Sequence, residues 1–305
     1  MHADDIPPPV FILAAPGLPA PTLAAALGAN PRAYGLPEIN LPLMLTVDVY
    51  QREMTGPRGP QGHGLLRALA QILGGEQTSA AIEMARRWLD LRAWMPAGDV
   101  HREIAARIAP RVMVSPATAV ILDPPSLRRM LAMFPDARFV RLRAHPRVYG
   151  EVMLSGPTGQ IALQLSGAID EEGDAPIPDP QELWLTVETA LDESLAELPE
   201  SRVIPVLTEE LVADPGPVLK GLARKLGLAY GAEAVAAMTR PERAPFAGPG
   251  PMGAHINGHI FSFAALAGEF PAPGTAVLDG ALPWRPDGKG FRDSVAERAR
   301  ALGFA

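Results

Sequence analysis

The chain has 305 residues with a net charge of −7 and no Lys/Arg run, so it lacks the basic footprint of a nucleic-acid or anionic-membrane partner. A composition that is 48% hydrophobic and 20% charged excludes disorder and a membrane-spanning chain, and 6% aromatics predict an aliphatic core. The absence of cysteine removes disulfides, thiolate nucleophiles and Cys-ligated metals from consideration.

Val10 to Ala29 is apolar, but Asp4 and Asp5 precede it and Pro16, Pro19 and Pro21 interrupt it. It therefore reads as part of the fold and not as a signal peptide, and the cytoplasm is the expected compartment. Val10-Phe11-Ile12-Leu13-Ala14 is a continuous apolar run, the pattern of a strand buried on both faces. After a turn, Pro21 suits the first position of a helix that runs to Gly28. Gly56 to Gly64 reads as a loop, and Leu65–Leu73 and Thr78–Trp94 have helical spacing, with Trp88, Trp94 and Met95 expected in the core. A strand over Arg111–Val114, a helix over Pro125–Phe134 and a strand over Arg138–Leu142 follow. Gly167–Asp179 is an acidic, Pro/Gly-rich loop. Beyond it come a helix over Pro180–Leu198, a strand over Val203–Leu207 and helices over Pro215–Leu226 and Phe291–Leu302. The alternation predicts an α/β fold with a mainly parallel central sheet flanked by helices in three layers. We expect one domain over 1–305, with a helical insertion near 60–110 and an irregular C-terminal wrap near 240–305. No internal repeat is visible.

His255 and His259 have the i, i+4 spacing of metal ligands, but Asn257-Gly258 between them favours a turn, and no metal is expected. The sequence holds no nucleophile elbow, Walker A lysine or dinucleotide fingerprint.

Several segments, in order, resemble one family. Val10 to Pro16, leading through the loop and helix to Leu27-Gly28-Ala29-Asn30-Pro31, is similar to its first strand, anion loop and helix. Leu36-Pro37-Glu38-Ile39-Asn40-Leu41 resembles the Glu-containing stretch after it. Ser115-Pro116, Leu127-Arg128-Arg129, Phe134-Pro135-Asp136-Ala137-Arg138-Phe139 and His145-Pro146-Arg147 resemble its middle block. Glu209 to Pro215, Leu226-Gly227-Leu228 and Leu282-Pro283-Trp284-Arg285 resemble later segments. The whole resembles the sulfotransferases that use 3′-phosphoadenosine-5′-phosphosulfate (PAPS), in particular the bacterial small-molecule and assembly-line type. The resemblance implies a P-loop sulfotransferase-like fold, PAPS or its product nucleotide PAP as cofactor, and a small-molecule or carrier-bound metabolite in the cleft. It implies no nucleic acid, membrane or metal, and it leaves the oligomeric state open.

The chain departs from the family pattern where the cofactor's anions would bind. A phosphosulfate loop aims backbone N–H groups and a helix N-terminus at the anion. After the first proline the family has roughly Arg/Lys-Ser-Gly-Thr-Thr/Ser; here stand Gly17, Leu18, Pro19, Ala20 and Pro21, with Thr22 available on a one-residue slip. Pro19 and Pro21 each delete an N–H. The 3′-phosphate motif has Ala144 for its first Arg and Val152 for its Ser, with Arg143 and Ser155 nearby and His145 and Arg147 retained. The Lys before Ser115-Pro116 is Val114. Glu38 matches a position where some relatives carry a general base for the acceptor hydroxyl. His145 and Arg147 would either line the pocket or flank Pro146 as solvated turn residues. These departures lead us to expect a repurposed or inactive homologue. The alternatives are an active sulfotransferase whose anion shell is rebuilt from Arg143, Arg147, Thr22 and Ser155, and a non-catalytic interaction protein using helices 65–94.

Overall fold

The computed structural model describes residues 6–171, 176–248, 250–251 and 261–305. Strand β1 (Val10–Ala14) forms where the apolar run predicts it, and all five residues are buried. Helix α1 (Ala20–Gly28) follows with proline in its first turn and leads to the short β2 (Ala33–Gly35). This crossover closes on two glycines: a Cβ on Gly28 would lie 2.3 Å from the Gly35 nitrogen, and one on Gly35 would lie 2.3 Å from the Ala24 carbonyl oxygen.

A helical insertion then holds α2 (Val47–Glu53), α3 (Gly59–Gly74), α4 (Ser79–Asp90) and α5 (Ala97–Ile108). Next come β3 (Val112–Pro116), α6 (Pro124–Met133), β4 (Arg138–Arg143), α7 (Pro146–Ser155) and α8 (Pro157–Ser166). A small antiparallel pair, β5 (Ile169–Asp170) and β6 (Ile177–Pro178), precedes α9 (Pro180–Leu195) and β7 (Val203–Leu207). The chain continues through α10 (Thr208–Ala213), α11 (Pro215–Lys225), α12 (Ala232–Met238) and α13 (Phe263–Leu266) to α14 (Asp293–Ala301).

The five-stranded sheet has the order β2-β3-β1-β4-β7, and every pairing in it is parallel. β1 is central, with Ile12 opposite Pro116 on one side and Val140 on the other. From β1 the chain leaves toward β2 and β3, then crosses back through α6 to β4. The crossovers thus diverge at the C-terminal end of β1, which is where open parallel sheets bind ligands. One apolar cluster, including Phe11, Leu13, Leu23, Phe139 and Trp184, packs around the sheet. A second, including Leu65, Leu69, Ile82, Val100 and Ile104, fills the helical insertion.

Three local departures from the sequence reading have physical reasons. α3 begins at Gly59, inside the expected Gly56–Gly64 loop, because Pro60 occupies its first turn, where a missing N–H costs nothing. Trp94 is 77% exposed, because α4 stops at Asp90 and the helical phase that would bury it is lost. Trp88 is partly buried and carries the Arg92 guanidinium 3.7 Å from its ring centre. The segment after His145 is helix α7, not a turn, since Pro146 takes its first position. His255 and His259 lie outside the described residues. Among the described residues no helix is long and apolar enough to cross a membrane, and no group of three His, Asp or Glu side chains could hold a metal.

Candidate ligand cleft

A cleft of about 1530 Å³ opens at the C-terminal end of β1, between the β1–α1 loop, α3, α7, α8 and α9. Its floor is the loop that the sequence marks. Pro16 and Gly17 occupy the centre of a turn closed by Leu18 N–H donating to the Ala15 carbonyl at 3.2 Å. Gly17 has φ +89°, the left-handed value required at the third residue of a type II turn, and proline suits the position before it. Ala20 N–H then donates to the Leu18 carbonyl at 2.8 Å, across Pro19 with φ −80° and ψ 47°, close to an inverse γ-turn.

These turns decide where the donors go. Pro16, Pro19 and Pro21 have no N–H, and Leu18 and Ala20 spend theirs inside the loop. Within 16–21, Gly17 keeps the one N–H not turned back on the loop. Leu18 and Ala20 face the core, at 6% and 0% exposure. Thr22 is buried on α1 and lines the cleft. A Cβ on Gly17 would lie 2.5 Å from the Met153 sulfur, so the loop is seated directly against α7.

The second anion motif is also committed to structure. Arg147 donates from Nε to the Val277 carbonyl at 2.9 Å, from Nη2 to Asp279 at 2.9 Å and from Nη1 to Ala281 at 3.0 Å. Its guanidinium also lies 5.7 Å from the Phe291 ring centre. The residue thus clamps the C-terminal wrap. His145 is the N-cap of α7, its Nδ1 accepting Arg147 N–H at 3.1 Å, while its own N–H donates to Glu209 Oε1 at 2.8 Å. Its ring packs edge-on against Phe304 at 5.4 Å, and burial holds its pKa below the usual histidine value. Ala144 is buried at 1%, its carbonyl accepting Trp184 Nε1–H at 3.1 Å. Arg143 does not line the cleft. It shares a face of β4 with Arg141, which is ion-paired to Glu188 and Asp192 of α9. Burial, then the nearby Arg141 charge, lowers its pKa. Ser155 and Val152 do line the cleft, and the Ser155 hydroxyl donates to the Val152 carbonyl at 2.9 Å.

Glu38 lines the same cleft, held against the turn that follows β3. Its Oε1 accepts N–H bonds from Thr118 at 2.5 Å and Ala119 at 2.8 Å, and its Oε2 accepts the Thr118 hydroxyl at 2.7 Å. Burial pushes the carboxyl above the usual range against the pull of these donors. Glu38 thereby ties its loop to the turn after β3 and still presents a carboxyl to the cleft. Its backbone is pressed against α3, where a Cβ on Gly64 would fall 1.9 Å from the Glu38 carbonyl oxygen.

Sequence reasoning passes over the polar neighbours of Glu38. Asn40, Gln61, His63, Arg67 and Thr118 all line the cleft. Asn40 is left-handed at φ 55°, its Nδ2 donating to the Gln61 carbonyl at 3.1 Å, and its buried Oδ1 has no partner. Pro60 at the start of α3 was the available signal for His63. Arg67 donates to Gln77 Oε1 at 2.6 Å and to the Gly248 carbonyl at 3.1 Å, neutral acceptors that leave its charge in place, whereas Arg292, the other lining cation among the described residues, is ion-paired with Glu182.

The solved structures that resemble this arrangement decide its type. The sulfotransferase domain from the curacin biosynthetic pathway matches with a TM-score of 0.74 at 18% identity, covering 98% of each chain. The sulfotransferase domain of the Synechococcus PCC 7002 olefin synthase matches with a TM-score of 0.73 at 19% identity, over 98% of this chain and 95% of that one. The chain has a sulfotransferase fold. Comparison with protein-family models and with curated proteins finds no match.

The residues of this sulfotransferase-fold chain do not fit a phosphosulfate cofactor. An oxyanion buried on the floor would meet three prolines, one loop N–H and the Thr22 side chain, with no cation from the loop, and each missing charge-assisted bond is worth roughly 1.5–3 kcal/mol. The retained Arg147 already satisfies three carbonyls, and Arg143 stands off the cleft.

Proposed function

We propose that this protein is a repurposed sulfotransferase homologue that no longer binds PAPS in the usual way and uses its cleft for a small-molecule or carrier-bound metabolite in the cytoplasm. The observation that carries this reading is the β1–α1 loop, whose proline positions and two internal turns leave one outward backbone donor in the segment that resembles a phosphosulfate cradle. The saturated Arg147 supports it independently. In the cleft, the Glu38 carboxyl and the Thr118 hydroxyl oxygen can accept a hydrogen bond from a ligand's polar group, and the Glu38 carboxyl is the group placed to take a proton from it.

Thermal melting with PAPS and with PAP tests the reading. A ligand at 100 times its dissociation constant stabilises a protein by about 2.7 kcal/mol; we expect no shift with either nucleotide. Transfer of labelled sulfuryl from PAPS to any hydroxyl acceptor, abolished in Glu38→Gln, would establish an active sulfotransferase with a rebuilt site instead.

A further inference from the structure

We infer that Arg67 is the anion subsite of the cleft, so that the small molecule bound there carries a single carboxylate, held from the helical insertion and not by the β1–α1 loop. The inference rests on the reading that the cleft serves a metabolite other than PAPS, and it names the charge of that metabolite.

The buried arginines among the described residues make the case by contrast. Arg141 is ion-paired to Glu188 and Asp192, and Arg285 to Asp170, Asp179 and Asp287. Arg67 is as deeply buried, at 6% exposure, yet makes no ion pair among the described residues. Its neighbours one turn away along α3 are His63, Gly64, Ala70 and Gln71, none of them acidic. Glu38, the carboxyl that shares the cleft, is bonded to Thr118 and Ala119 instead. Burial accordingly lowers the Arg67 pKa, and no carboxylate pulls it back. A buried charge is costly unless it is paired. Of these buried arginines only Arg67 lines the cleft, so the counter-ion that the chain does not supply has a route in from the cleft.

The guanidinium is also seated, with one corner left over. Nε donates to Gln77 Oε1, and Nη2 donates to the Gly248 carbonyl and, at 3.4 Å, to that of Phe246. A Cβ on Gly250 would lie 2.6 Å from Nε, so the wrap closes over that edge. Nη1 bonds to none of the described residues and keeps two hydrogens for an acceptor. Arg147 fails the same test, because all three of its nitrogens donate to carbonyls and it does not line the cleft. The count of charges then sets that of the ligand. Arg292 is paired with Glu182, which leaves one positive charge among the lining arginines, and a carboxylate balances it. A phosphate monoester, at about −1.5 to −2 near neutral pH, would bring charge that nothing here neutralises.

Calorimetric titration of the full chain with phenylacetate, the neutral phenylacetamide and phenyl phosphate, three probes of similar size, reads the subsite directly. We expect phenylacetate to bind about 10- to 100-fold more tightly than the amide, the range of one charge-assisted hydrogen bond, and at least about tenfold more tightly than phenyl phosphate. Arg67→Gln should bring phenylacetate down to the affinity of the amide and leave the amide unchanged. Arg67→Lys keeps the charge and should keep the preference for the carboxylate. Because Arg67 also holds Gln77 and the wrap, Arg67→Gln can fail to fold; the phenylacetate-to-amide ratio in the parent chain and in Arg67→Lys then decides. Equal affinities for the acid and the amide, or phenylacetate binding untouched in Arg67→Gln, overturn the inference. PAP binding at micromolar concentration and displacing phenylacetate overturns both this inference and the reading beneath it. Binding of neither PAP nor phenylacetate up to about 10 mM overturns the subsite alone.

Discussion

Replacing Arg147 by alanine separates a structural clamp from an anion site. The guanidinium makes three bonds to the carbonyls of Val277, Asp279 and Ala281 at 2.9–3.0 Å. In isolation such charge-assisted bonds are worth roughly 1.5–3 kcal/mol each; because Arg147 is only partly buried, water recovers part of the loss, and the expected net cost is about 2–4 kcal/mol. At roughly 2–4 °C per kcal/mol for a large domain, the melting temperature should fall on the order of 5–10 °C. Amide exchange should accelerate first in residues 277–281 and around Phe291, the segment the clamp holds. Arg147→Lys should recover only a minor part, because an ammonium cannot span three carbonyls as the planar fork does. A variant that melts like the parent, with exchange in the wrap unchanged, would refute the clamp.

Further expectations follow from other buried groups. His101 is 1% exposed, its ring tilted by 47° at 4.3 Å from the Phe134 ring centre, and burial lowers its pKa to about 3. The unfolded chain therefore binds the extra proton below about pH 6.5, so the stability this group confers is full above that value and falls as pH drops, by roughly 2 kcal/mol at pH 5; His101→Phe should flatten the acid limb of denaturant midpoint against pH. Gly17→Ala forces a side chain into φ +89° and to 2.5 Å from the Met153 sulfur, and should cost at least about 1–2 kcal/mol by chemical denaturation, partly restored by Met153→Ala. Glu38→Gln replaces an acceptor of three bonds by a group with one acceptor oxygen, and should lower stability by about 1–3 kcal/mol in the same assay; no loss would contradict its role in joining its loop to the turn after β3.

The parts of the fold legible in the sequence were those set by local pattern. β1 is a short apolar run buried on both sheet faces, β4 and β7 are short stretches rich in Val, Ile, Leu and Phe, and the helices with a clear 3.6-residue period appeared within a few residues of most of their bounds. α7 was missed because His145-Pro146 reads as a turn until proline is placed at a helix's first position. The loop between Pro16 and Pro21 was legible because proline's lost N–H is a property of the residue itself. What those losses could not reveal was that Leu18 and Ala20 also turn their donors inward, since that depends on backbone angles set by packing against Met153. The fate of Arg147 was equally out of reach, because its acceptors lie about 130 residues further along the chain. Arg143 looked adjacent to the motif in sequence, yet strand alternation places it beside Arg141, off the cleft.

The claim at the centre is that the floor of this sulfotransferase-fold cleft has lost its anion site. Isothermal titration of PAP into the protein near neutral pH measures that loss without requiring any acceptor. We expect no saturable heat up to about millimolar nucleotide, corresponding to less than about 4 kcal/mol of binding free energy. A micromolar dissociation constant, weakened by Arg147→Ala, would contradict it.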